Sequence, residues 1–127
     1  MLLTRVFLTV AAILAGLAVA AGAFASHALK ERLTDRALEI FETAARYQMY
    51  HALALFLVAV LLSRAENVPP TLSVAGYAFI AGIAIFSGSL YALSLTGIKW
   101  LGAITPLGGA AFLLGWGCVA IAAWRLQ

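Results

Sequence analysis

The chain has 127 residues, of which 65% are hydrophobic and only 10% charged, and its mean hydropathy is +1.04. A water-soluble domain of this length buries too small a share of its surface to hide so much apolar area, so the solvent for most of the chain is lipid. The net charge of +3 arises from only eight Lys and Arg with no basic stripe, which excludes a nucleic-acid partner, and the single Cys118 excludes an intrachain disulfide or a multi-cysteine metal site. Cys118 lies in an apolar run and reads as an inert packing thiol.

The ionisable residues divide the sequence. Arg5 and His27 are separated by 21 residues without an ionisable side chain, and Glu66 and Lys99 by 32. Lys99 and Arg125 are separated by 25 residues, and Arg46 and Arg64 by 17 that are broken only by Gln48 and His51. A helix needs roughly 20 mostly apolar residues to cross about 30 Å of hydrocarbon. Four spans are therefore predicted, at about Val6 to Ala25, Tyr47 to Ser63, Leu72 to Leu95 and Pro106 to Trp124. The fold class expected is all-α, a four-helix membrane bundle forming one domain over residues 1–127.

In the first span, Ala23-Phe24-Ala25 ahead of Ser26 fits a small-x-small cleavage pattern. The apolar run is longer than a signal core, so the segment is expected to be retained as a span. Residues His27 to Arg46 then hold four bases (Lys30, Arg32, Arg36, Arg46) and four acids (Glu31, Asp35, Glu39, Glu42). From Thr34, a candidate N-cap, the pattern is amphipathic. Ala37, Phe41 and Ala44 share one stripe, and Asp35, Glu39, Glu42 and Arg46 another. This predicts an amphipathic helix between spans 1 and 2, lying at the membrane surface or running into the second span. Glu42 precedes Arg46 by four residues, the orientation that favours a helical ion pair.

Asn67-Val68-Pro69-Pro70 breaks the chain before the third span, and Thr96-Gly97 ends that span. Thr105-Pro106 reads as the start of the fourth, with Thr as N-cap and Pro at the first helical position. Helices in lipid meet through small residues. The candidates are Ala12, Gly16 and Ala20, then Ala84, Gly88 and Ala92, then Gly108, Gly109, Gly115 and Gly117. Contacts within the bundle are their expected use, and a homo-oligomer face is the alternative. Trp100 and Trp124 bracket the fourth span as interfacial anchors, and Trp116 is expected to pack inside the bundle.

Four spans put the first and third connections on one side of the membrane. His27, Glu42, Arg46, Tyr47, Gln48, His51, Lys99 and Thr105 all fall there and form the candidate polar cluster. His51 lies about one turn inside the second span without an acid in helical reach. It is read first as a structural imidazole, with a ligand or proton-carrying role as the functional alternative. A haem held by His27 and His51 is conceivable, but nothing else in the chain supports it. No catalytic motif is present, no metal or cofactor is expected, and Ser87 and Ser89 are expected to bond within or between helices. Five Lys and Arg on the first-loop side against three on the other place the first and third connections in the cytoplasm.

Four segments also resemble one family. Gly22-Ala23-Phe24-Ala25-Ser26-His27-Ala28-Leu29, Arg46-Tyr47-Gln48-Met49-Tyr50-His51-Ala52-Leu53-Ala54-Leu55, Phe86-Ser87-Gly88-Ser89-Leu90-Tyr91 and Trp100-Leu101-Gly102-Ala103-Ile104-Thr105-Pro106-Leu107-Gly108-Gly109 are similar to the domain-of-unknown-function 423 family. Ala25-Ser26 stands where many members have Gly-Ala. The resemblance implies a small bacterial inner-membrane protein, related to the eukaryotic transmembrane protein 256, and implies no reaction. The function expected is that of a non-enzymatic accessory, assembly or lipid-organising protein in the bilayer, with a membrane-protein partner or homo-oligomer. The alternative is a binding or transport unit for a small amphipathic molecule, a quinone or a lipid, at the His27/Arg46/His51 side.

Overall fold

The computed structural model describes residues 1–126 and contains four helices long and apolar enough to cross a membrane. They are α1 (Leu2–Leu29), α2 (Asp35–Arg64), α3 (Pro70–Thr96) and α4 (Leu101–Trp124). The four expected spans lie within them. Short connections make each helix antiparallel to the next, and each consecutive pair packs together.

The helix ends follow local chemistry. Thr34 caps α2, its backbone extended and its Oγ1 accepting from the Ala37 N–H at 3.1 Å. Pro70 opens α3, where its missing N–H costs nothing. Gly97, at φ 71°, closes α3 in the left-handed conformation, and its N–H bonds the Leu93 carbonyl at 2.8 Å.

One stretch takes the second of its two expected courses, and one boundary differs from the sequence reading. The amphipathic stretch is the first part of α2, continuous with the span over 30 residues, so the helix runs into the membrane. Its apolar stripe explains this: Phe41 packs with Ala25 and Leu29 of α1 and with Tyr91 of α3, which gives that stripe protein partners. The boundary that differs is the start of α4, which lies at Leu101, about a turn before Thr105-Pro106. Bonds from the amides of Leu101, Gly102 and Ala103 to the carbonyls of Ile98, Lys99 and Trp100 wind the chain into the helix directly after Gly97. Pro106 is then inside α4, near enough to its start that only the Gly102 carbonyl loses an intrahelical partner.

Small residues do bring the helices together, but only some of those expected. Phe7 of α1 rests on Gly76 of α3, Phe112 of α4 on Gly82, and Phe79 of α3 on Gly115, each where a Cβ would collide with the ring. At Gly108 of α4 the neighbour is the backbone of Phe86, the closest helix approach that a glycine permits here. On α1 the buried small residues are Thr4, Ala11, Ala18 and Ala25, a seven-residue repeat. Ala12, Gly16 and Ala20 point outward instead, as do Ala84 and Gly88, and no atom lies within 4 Å of a Cβ placed at Gly16 or Gly88.

Two turns are π-helical, Ala25–Leu29 at the end of α1 and Ile83–Ser87 within α3. A π turn inserts one residue and shifts the faces on either side of it. In α3 it lies between the buried face of Phe79 and that of Ser89, flanked by Gly82 and Gly88, both in ordinary right-handed helical conformation.

Candidate functional site

The inward face of α2 between Ala44 and His51 organises the polar interior. Gln48 is 5% exposed and satisfies its amide twice: Nε2 donates to the Leu14 carbonyl of α1 at 2.8 Å, and Oε1 accepts from the Tyr91 hydroxyl of α3 at 2.8 Å. One side chain thus ties three helices. Ser87, in the π turn of α3, donates to the Ala44 carbonyl at 2.8 Å. Ser89 and Thr105 share a hydroxyl–hydroxyl bond of 2.6 Å between α3 and α4. In hydrocarbon no water can replace these partners, so each bond removes a cost of about 1–3 kcal/mol for an unsatisfied group.

His51 is buried and uses both ring nitrogens. Nδ1 lies 2.8 Å from the Tyr47 carbonyl, and Nε2 accepts from the indole N–H of Trp116 at 3.1 Å. Together these bonds select the neutral imidazole with its proton on Nδ1. The ring stacks on Phe112, with centroids 3.5 Å apart and planes 7° from parallel. Both nitrogens are engaged, and through them His51 joins α2 to α4. His27 is exposed on the π turn at the end of α1 and shares no hydrogen bond with it. Among the described residues no group of three His, Cys, Asp or Glu converges as a metal site.

The polar cluster expected from the sequence is therefore divided. Tyr47 and Gln48 contribute to two different networks, and Thr105 pairs with Ser89 rather than with His51. Arg46 is exposed and makes no ion pair with Glu42, which corrects the pair expected from their spacing; the ion pair among the described residues is Arg36–Glu39 at 3.1 Å. Lys99 is exposed in the connection before α4. The reason is geometric: α2 turns Gln48 and His51 inward but Arg46 and Tyr47 outward. Tyr91, Trp116 and Ser87 supply the partners that the sequence reading did not assign. Their signal was there, since a Tyr hydroxyl and a Trp N–H inside a span need an acceptor.

Beside His51 the seam between α2 and α4 opens outward into a groove of about 520 Å³. Tyr47, Tyr50, His51, Phe86, Phe112 and Trp116 line it. Trp116, expected inside the bundle, lies on the rim of this groove, 43% exposed, with its N–H turned to His51. A second groove of similar volume lies between α1 and α2, with Ser26, Glu42 and Arg46 on its walls, and Tyr50 lines both.

The comparisons with known proteins agree with this architecture. A family profile described as a protein of unknown function (DUF423) matches residues 21–109, which hold Gln48, His51, Ser87, Ser89, Tyr91 and Thr105 but not Trp116. UPF0382 membrane protein YwdK of Bacillus subtilis (strain 168) is 47% identical over 119 residues, covering 94% of this chain and 96% of the relative. UPF0382 membrane protein SAB0533 of Staphylococcus aureus (strain bovine RF122 / ET3-1) is 43% identical over 121 residues, covering 95% and 97%. UPF0382 membrane protein SH2409 of Staphylococcus haemolyticus (strain JCSC1435) is 38% identical over 121 residues, with the same coverage. No solved structure matches. A four-helix membrane protein matched by the family profile over most of its length, and by full-length membrane-protein relatives, belongs to the DUF423 family, the UPF0382 membrane proteins.

Proposed function

We propose that the protein is a non-enzymatic binding unit of the bacterial inner membrane that holds the apolar part of an amphipathic molecule, a quinone or a lipid tail, in the groove between α2 and α4. The observation that carries this reading is the aromatic lining of that groove. Five aromatic residues and His51 surround about 520 Å³ that is open at the side. Rigid rings lose little entropy on contact and present flat apolar faces, which suits a planar head or an extended chain. His51 acts here as a wall rather than a ligand, because its nitrogens are already bonded.

The test fills the groove. Gly109 lines it, and a Cβ at that position comes no closer than 4.0 Å to Phe86, so Gly109→Leu adds bulk to the groove without a backbone clash. After mild solubilisation, native mass spectrometry is expected to find one amphipathic molecule fewer per chain on Gly109→Leu than on the wild type, with thermal stability unchanged. Equal retention by both, or no bound molecule on either, overturns the reading.

The partner-binding reading, an accessory or assembly subunit, draws on a different observation. Ala12, Gly16 and Ala20 face outward on α1 with open space before them. The same spectra separate the two readings, since a stoichiometric second protein or second copy supports this one and a bare monomer removes it.

A further inference from the structure

The groove between α1 and α2 combines two unneutralised charges of opposite sign in one site. Glu42 and Arg46 stand one turn apart on α2 and both line it, yet they do not pair with each other or with any other residue described. Opposite them on α1 are Ala18, Gly22 and Ser26, one turn apart in succession. Nothing lies within 4 Å of a Cβ at Gly22, so the space in front of this helix is open. The Ser26 hydroxyl donates to the Gly22 carbonyl at 3.1 Å, which leaves the oxygen able to accept.

The depth of this groove follows from α4. Helices α2 and α4 run parallel, and Phe112 lies against His51. Eleven residues toward the start of each helix lie Leu101 and Ile40, about 16 Å away along the axes. Trp100, 63% exposed at the head of α4, therefore marks the interface near Glu39 and Ile40. Glu42 and Arg46 fall within about two turns below it. Glu42 lies about one turn below the interface, and the deeper Arg46 extends its long side chain toward the water, which raises its guanidinium to the level of the phospholipid phosphates.

The geometry points to a phospholipid with a phosphoethanolamine head as the occupant, its phosphate on Arg46 and its ammonium on Glu42. Charge complementarity decides among headgroups. Residues four apart on a helix have Cβ atoms about 5–6 Å apart, a separation that the two-carbon bridge of ethanolamine spans between phosphate and nitrogen. A phosphoglycerol head brings only an anion, which Glu42 opposes. A choline head brings a cation without an N–H and cannot donate to the carboxylate or to Ser26. A primary ammonium donates three hydrogen bonds, and both its bonds and those of the guanidinium are charge-assisted. The proposal is independent of whatever occupies the aromatic groove.

The full-length protein, delipidated in detergent, is offered phosphatidylethanolamine, phosphatidylcholine or phosphatidylglycerol with identical acyl chains, and bound lipid is counted by native mass spectrometry. The wild type is expected to retain the ethanolamine lipid about tenfold better than either other class. Glu42→Gln is expected to erase the preference over phosphatidylglycerol by admitting the anionic lipid, while Arg46→Gln loses both. The conservative Glu42→Asp keeps a carboxylate at the same level and is expected to retain the ethanolamine preference. The double exchange Glu42→Arg with Arg46→Glu reverses the two charges along the lipid axis and is expected to lose it, so the result does not hang on one variant's folding. Gly109→Leu is expected to leave headgroup selectivity unchanged, which separates this site from the aromatic groove. Equal retention of the three lipids by the wild type, or a Glu42→Gln protein with unaltered selectivity, overturns the proposal.

Discussion

The indole N–H of Trp116 donates to Nε2 of His51 at 3.1 Å, a bond from the fourth helix to the second that fixes the tautomer of the imidazole. It is also a bond that sequence spacing cannot reveal, since 65 positions separate the two residues.

Removing that donor isolates its contribution. Trp116→Phe keeps a ring on the groove but leaves Nε2 of a buried His51 without a partner. A loss of about 1–3 kcal/mol is expected from the unsatisfied group. His51→Ala additionally removes the ring stacked on Phe112 and is expected to cost more. Thermal unfolding in detergent measures both. The double variant is expected to lose less than the sum, because each single change already breaks the same bond. Fully additive losses contradict the bond as described.

The glycines separate into two groups with opposite expected behaviour. At Gly108 a Cβ meets the backbone of Phe86, which cannot move without shifting α3, so Gly108→Ala is expected to destabilise by about 1–3 kcal/mol. At Gly16 and Gly88 the space is open, and Ala there is expected to leave the monomer unchanged or to stabilise it by about 0.5–1 kcal/mol through helix propensity. Denaturation in a non-dissociating detergent tests the contrast. A severe loss for Gly16→Ala shows instead that another surface packs on that stripe.

The distribution of bases predicts a membrane orientation. Lys30, Arg32, Arg36, Arg46 and Lys99 lie on the first-loop side, and Arg5, Arg64 and Arg125 on the other. The positive-inside tendency therefore places both termini outside the cytoplasm. A C-terminal phosphatase fusion is expected to be active and a C-terminal fluorescent-protein fusion dark; the reverse pattern inverts the topology.

The number of spans and most of their ends were legible in the residues because they depend on local chemistry. Uninterrupted apolar stretches between charges require burial in lipid whatever they pack against. Thr34 and Gly97 cap their helices through bonds to residues three or four positions away. The exception, Thr105-Pro106, shows the limit of such signals. A proline is tolerated both at the first helical position and slightly beyond it, and only the turn wound from Ile98 to Ala103 put the start of α4 at Leu101.

What the tertiary structure decided is which face each residue presents. The sequence by itself required that Gln48 and His51, inside a span, find partners, because hydrocarbon offers none. It could not name Leu14, Tyr91 and Trp116, which are distant along the chain and near only once α1, α3 and α4 have packed. Small residues posed the same problem. Gly16 and Gly108 are equivalent as letters, yet one faces open space and the other a backbone, because helix rotation is set by the sum of all contacts along a helix and not by any one position.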